Sequence, residues 1–214
     1  MIIHPEAHLD RLAPHFVEKR VLEIGCGDGF RSVQIARHCG SLVGIDPNGE
    51  TVEEAQRLNA ADNIVYKVGS ATELPLPDKS FGTVVFVLSL HHIPEREMPR
   101  AIDEAIRVTP PAGTIVFIEP GFRGTFFELD QNFGVCDGDE RRVKGLALAA
   151  MLGHPGLSEI EEFWDETHYT LESTDDYLAE FSLDRDRLGE IDEELVKVDH
   201  KLWAERRVNV FKRK

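Results

Sequence analysis

The stretch Val21-Leu22-Glu23-Ile24-Gly25-Cys26-Gly27-Asp28-Gly29 decides the fold. Val21 to Ile24 is an apolar run with one acid, Glu23, near its end, and it reads as a buried strand. Three glycines at alternate positions follow. Val33, Ile35 and Ala36 then give an apolar period that reads as a helix over Arg31 to His38. Strand, glycine-rich turn and helix open a nucleotide-binding βαβ unit. Glycine lets the turn take positive φ and lets a ligand approach bare backbone. The N–H groups that start the helix are free to meet an anion. The spacing is G-x-G-x-G, with Phe30 where a dinucleotide pattern puts its third glycine. No Gly-Lys-Ser/Thr ending marks a Walker-type phosphate loop.

Working outward, Ser41 to Asp46 reads as a second strand closed by an acid. Asp46 follows the glycine turn at the distance where such a unit places a carboxylate on a ribose. A carboxylate accepts from both ribose hydroxyls, whereas an exposed helix cap is the structural alternative. Pro47 and Asn48 start a helix through Asn59, and Asn63 to Val68 reads as strand three. Thr83 to Leu90 is nearly all apolar, as a central parallel strand is. Ligands of open α/β sheets lie beyond the carboxyl ends of such strands, which brings Leu88 to His92 near the site. Glu95 to Val108 has helical apolar spacing, and Thr114 to Glu119 reads as strand five.

The pattern acid-x-Gly-x-Gly-x-Gly over Glu23 to Gly29 resembles the first motif of the class I, Rossmann-like S-adenosylmethionine (SAM)-dependent methyltransferases. Gly69 to Phe81, with its Leu74-Pro75-Leu76-Pro77-Asp78 loop, is similar to the ubiquinone-biosynthesis-like, type 11 branch. So are Leu90-His91-His92-Ile93 and the turn Arg107 to Gly113. Ser70 and Gly82 stand where that branch has acids. The resemblance covers about residues 18 to 120. It implies a three-layer, doubly wound α/β sheet of about seven strands in the order 3-2-1-4-5-7-6, the last antiparallel. It also implies helical insertions over the active site.

By the same resemblance, Glu23, Gly25, Cys26, Gly27, Gly29, Asp46 and Pro47 hold the cofactor SAM. Ser70 and Ala71 lie beside the adenine, and Leu88 and Ser89 near the methionine end. Methyl transfer is an in-line displacement at an activated sulfonium, so holding nucleophile and methyl in line is the main task. No metal is required. A hydroxyl acceptor gains from a general base, for which His91 and His92 are candidates, because imidazole titrates near neutral pH. The structural alternative for either is packing at the strand end. His154 and His168 are further histidines that can face a pocket. His4 and His8, four apart, can share a helix face, but no third ligand stands near them.

Past Pro120 the pattern weakens. Gly121 to Asp139 mixes glycine with Phe122, Phe126, Phe127 and Phe133, without a period. Glu140 to Leu152 reads as a helix, Phe163 to Leu171 as strand six and Arg207 to Lys212 as strand seven. Helices are expected around Thr174 to Phe181 and over Asp184 to Ala204, the second carrying Leu188, Ile191, Leu195, Val198 and Leu202. In the family, insertions after strand five cover the methyl acceptor. A short helix around Pro5 to Leu12 reads as a surface helix or part of a lid.

The 214 residues suit one methyltransferase domain: a cofactor core over about 18–120, with acceptor-side and lid segments at about 1–17 and 121–206. A formal charge of −15 argues against a nucleic-acid partner, which needs clustered Lys and Arg. No apolar run reaches the roughly 20 residues that cross a bilayer, and no signal-peptide pattern opens the chain. Cytoplasmic residence is the expectation. Cys26, Cys39 and Cys136 form no C-x-x-C pair. Methyl transfer to a small-molecule acceptor is thus the leading reading. A non-catalytic SAM-binding module or partner subunit is the alternative, and an NAD(P)-dependent oxidoreductase fits the glycine spacing poorly. Oligomeric state is not legible.

Overall fold

The computed structural model describes residues 2–136, 138–171 and 187–214. The chain starts with β1 (Ile2–Ile3), α1 (Ala7–Phe16), β2 (Arg20–Ile24), α2 (Phe30–Ala36) and β3 (Ser41–Asp46). It continues through α3 (Gly49–Leu58), β4 (Ile64–Val68), β5 (Thr83–Val87), α4 (Met98–Val108) and β6 (Thr114–Pro120). Then come α5 (Thr125–Phe133), α6 (Arg141–Gly153), β7 (Leu157–Thr170), α7 (Leu188–Lys197) and β8 (Lys201–Arg213). The strands form one sheet in the order β1-β7-β8-β6-β5-β2-β3-β4.

β2 pairs in parallel with β3 on one side and β5 on the other. The chain first winds outward to β4 and then returns to β5 and β6. The border between β2 and β5 is therefore the topological switch point, where a doubly wound sheet opens a crevice. β8 enters antiparallel between β6 and β7. The expected strand order holds, with one strand more: β1 pairs antiparallel with the outer edge of β7.

Alternation along the central strands divides the core. Leu22, Val84, Phe86 and Phe117 face α4 and α6, and Phe86 stacks on Phe117 with ring centroids 4.9 Å apart. Val21, Val85 and Val116 face α1 and α2, and α3 packs Val52 and Ala55 against Tyr66 of β4. Asn48 caps α3 by accepting the N–H groups of Glu50 and Thr51. α1 is not the surface helix or lid expected around Pro5 to Leu12. It starts at Ala7 and buries His8, Leu9, Leu12 and Phe16.

Three further expectations are corrected. β5 stops at Val87 instead of Leu90, because Leu88 takes a left-handed φ of 51° and a 3₁₀ turn spans Leu90–His92. β7 begins at Leu157, not Phe163. Most side chains over its first six positions are exposed, so no apolar alternation announces them. The helix expected over Asp184 to Ala204 is observed as α7 alone. Asp199 and His200 take φ of 53° and 54° and turn the chain into β8, where Leu202 and Ala204 are alternate buried residues. The helix expected around Thr174 to Phe181 lies outside the described residues.

Candidate functional site

A cavity of about 710 Å³ opens at the switch point, beyond the carboxyl ends of β2, β3 and β5. Its wall contains Glu23, Gly25, Cys26, Gly27, Asp46, Pro47, Ser70, Ala71, Leu88 and Ser89, all expected cofactor residues. Of that expected set only Gly29 is outside the wall. Gly29 has φ of +81°, and a Cβ there would meet the Tyr66 hydroxyl at 2.5 Å, so it closes the turn against β4.

Gly25 lets β2 and β5 end side by side. A Cβ at Gly25 would lie 2.5 Å from that of Ser89, whose hydroxyl donates to the Ile24 carbonyl at 2.6 Å. At Gly27 a Cβ would meet nothing within 4 Å, so the backbone there is open to the cavity. Asp46 braces the turn: Oδ2 accepts the Gly27 N–H at 3.0 Å and Oδ1 that of Asn48 at 2.9 Å. Each carboxylate oxygen keeps a further lone pair for a ligand.

Glu23 is in the wall, but its carboxylate turns toward α2 and accepts from the Ser32 hydroxyl at 2.5 Å. It is 1% exposed, and burial pushes its carboxyl up to about 7. Burial, followed by the Glu23 and Asp46 carboxylates, pushes the Cys26 thiol up. Cys26 therefore stays protonated and fills space in the turn. The Ser70 hydroxyl bonds that of Thr72 at 2.9 Å.

A second cavity, about 260 Å³, adjoins the first; Arg31, Leu88 and His92 belong to both walls. Apart from His91, its other residues come from the N-terminal edge and from β6 onward, including Ile3, Phe126, Phe127, Lys144, Tyr169 and Arg206. Sequence reasoning singled out Phe126 and Phe127 but missed Arg31, Tyr169 and Arg206. Arg31 had a usable signal, since it stands two residues past the glycine turn. Tyr169 and Arg206 had none, because only the β7–β8 pairing brings them in.

His91 and His92 differ. His91 is buried and faces the second cavity, with Nδ1 against a carboxylate oxygen of Glu119. The other Glu119 oxygen accepts the Leu90 N–H at 2.9 Å, so the pair is held from both sides. His91 Nε2 lies 3.8 Å from Glu140. His92 is half exposed and borders both cavities. Among the described residues, His91, His92 and Glu140 have ligand-type atoms within 4.8 Å of one another. Lys144 already sets its ammonium 3.2 Å from the Glu140 carboxylate. His154 and His168 line neither cavity: His154 pairs with Asp103 and His168 with Glu166. His4 and His8 are not a pair either, for His4 bonds Thr170 and His8 lies by Asp165.

Three comparisons bear on this geometry. A family model described as a methyltransferase domain matches residues 21–113, from β2 to the turn before β6. The 27-O-demethylrifamycin SV methyltransferase of Amycolatopsis mediterranei is 31% identical over 176 residues, 78% of this chain. The chain spans 61% of that relative's length. An uncharacterized methyltransferase of Mycobacterium bovis is 30% identical over 146 residues, 67% of this chain and 72% of the relative. The fold matches that of the N-methyltransferase NodS from Bradyrhizobium japonicum, solved with S-adenosyl-L-homocysteine (SAH). The TM-score is 0.55 at 20% identity, over 94% of this chain and 84% of that one.

Proposed function

The chain belongs to the class I, Rossmann-like SAM-dependent methyltransferases, and we propose that it transfers a methyl group from SAM to a hydroxyl of a small-molecule acceptor. One observation carries this reading. The cavity at the switch point meets a second cavity at Leu88 and His92, and a carboxylate-held histidine stands in the wall of the second.

The residues of the larger cavity suit the cofactor. The open backbone at Gly27 admits a ligand, and Asp46 is fixed with lone pairs to spare for a ribose diol. Ser70 and Ala71 offer a hydroxyl and a small apolar surface for the adenine. Bound there, SAM supplies an activated sulfonium methyl group, so what remains for the protein is orientation and the acceptor's proton. Leu88 and His92 border both ligands and set the approach of one to the other. Glu119, accepting from His91 Nδ1–H, fixes the tautomer whose Nε2 is an acceptor. Nε2 then takes the hydroxyl proton as the oxygen attacks.

The relative from Amycolatopsis, whose printed name is that of an O-methylating enzyme, supports a hydroxyl acceptor. Replacement of acids by Ser70 and Gly82 leaves a binding-only module as the second reading. Such a module has no use for the His91–Glu119 pair. The test is calorimetry with SAH and NAD, followed by transfer of a labelled methyl group from SAM across a panel of alcohols, amines and thiols. SAH binding and labelled ether products are expected. No SAH affinity overturns the cofactor reading, and binding without label transfer to any acceptor favours the module.

A further inference from the structure

The wall of the second cavity contains a buried cation that forms no ion pair within 4 Å among the described residues. Arg206 is 3% exposed. Its Nη1 donates to the Glu205 carbonyl at 3.1 Å and an Nη2 hydrogen goes to the Tyr169 hydroxyl. Its Nε is buried and meets no hydrogen-bond partner among the described residues. Burial pushes its pKa down, helped by Arg31 and opposed by Tyr169 and Glu6. A guanidinium nevertheless remains charged at neutral pH.

Three nearby carboxylates have closer contacts with other groups. Glu205 bonds Arg123 at 2.8 Å and the Phe122 N–H at 3.2 Å. Asp165, opposite Arg206 across the β7–β8 pair, lies 3.3 Å from His8 Nδ1. Glu6 accepts from Thr167 at 2.8 Å and sits 3.3 Å from Arg31 Nε. Glu6 thus acts on both Arg31 and Arg206, but its close contact is with Arg31. A buried charge without a partner is costly, so such a site favours an incoming anion.

The rest of the wall indicates the shape of that anion's carrier. Phe126 stacks on Tyr169 with centroids 5.0 Å apart, and Phe127 lies under the Lys144 ammonium. Flat aromatic walls favour a flat ligand. The volume, about 260 Å³, is below that of a usual drug-sized pocket and suits one substituted ring.

We propose that the methyl acceptor is a single-ring aromatic carboxylic acid, anchored through its carboxylate by Arg206 with Tyr169 beside it. This rests on the methyl-transfer reading above. The anchored carboxylate is not the nucleophile, because a guanidinium withdraws the charge that attack requires. The methylated hydroxyl lies elsewhere on the ring, within reach of His91.

The test titrates SAH-saturated protein with benzoate and with its neutral analogue benzamide. Benzoate is expected to bind at least about tenfold more tightly, the range of a charge-assisted bond. Arg206→Met is expected to erase that preference, leave SAH affinity unchanged and not lower Tm, since it removes a buried charge that forms no ion pair among the described residues. Arg206→Lys, which keeps the charge but loses the planar fork, is expected to retain part of the preference. Equal affinities for the two probes, or benzoate displacing SAH, overturn the proposal on the unaltered protein alone. A protein that fails to bind SAH overturns the methyl-transfer reading instead.

Discussion

At the scale of single residues, the acid of the first motif was legible and its state was not. Burial pushes the Glu23 carboxyl from 4.5 up to about 7. Between those values the folded chain keeps a proton that the unfolded chain releases. Stability linked to Glu23 is therefore full below about pH 4.5, declines up to about pH 7 and stays lost above it. Glu23→Gln imitates the protonated form and can still accept from Ser32. It is expected to be more stable than the parent at about pH 8 by up to about 3 kcal/mol, with the gain gone near pH 4.5. Urea unfolding at both pH values measures this, and a pH-independent difference would remove the titration from the account. The two histidines present the same contrast. Sequence offered His91 and His92 as equals; the Glu119 carboxylate, 28 positions along the chain, separates them. His91→Asn should cut turnover on a hydroxyl acceptor by about 10²–10⁴-fold and leave SAH affinity alone. His92→Asn should act chiefly on KM. Turnover of His91→Asn close to the parent's would dismiss its role as base.

At the scale of elements, what could be read in advance was whatever a segment settles within itself. The β2–turn–α2 unit is local: Gly25, Gly27 and Gly29 carry its positive φ angles, and Glu23 meets Ser32 nine residues on. The α7–β8 junction is not local. Val198 and Leu202 have helical spacing, yet the left-handed Asp199 and His200 leave Val198 at the end of α7 and put Leu202 on β8. A further element-level device is the clamp at Arg107, which joins α4 to the loop behind Ser70. Its Nη2 donates to the Leu74 carbonyl at 3.0 Å, and Nη1 to that of Leu76 at 2.9 Å. Glu104 receives both Nε and Nη2 and also the Leu74 N–H. Lysine cannot reproduce that planar fork. Arg107→Lys is expected to cost about 1–3 kcal/mol of stability and to weaken SAH binding, because the Ser70–Thr72 wall hangs on the clamped loop. Thermal unfolding and calorimetry measure the two effects, and loss of neither would make the clamp ornamental. The Arg107 hydrogen bond holds the Glu104 carboxyl below its ordinary value. The clamp's contribution is thus present above about pH 4.5 and is lost as pH falls through the lowered value.

At the scale of the whole molecule, the two cavities have different origins. The larger is walled by residues between Glu23 and Glu97, a continuous stretch with its motifs in order. The smaller takes Ile3 from the edge strand, Phe126 and Lys144 from α5 and α6, Tyr169 from β7 and Arg206 from β8. No run of sequence contains that set, which is why the smaller cavity was illegible while the larger was not. The same division predicts how the functions separate. Residues 121–153 supply one side of the small cavity and none of the large one. Exchanging them for the matching segment of the Amycolatopsis relative should alter which acceptors are methylated and leave SAH affinity within about threefold, a change of under about 1 kcal/mol. α6 also buries Ala147 and Met151 in the core shared with α4, so those two residues should be retained in the exchange. Product profiling across an acceptor panel, beside calorimetry with SAH, reads both halves of the prediction. An unchanged acceptor profile would place specificity on the β7–β8 ribbon instead. A collapse of SAH binding in a chimera that keeps the parent's thermal transition would mean that the two cavities are energetically one.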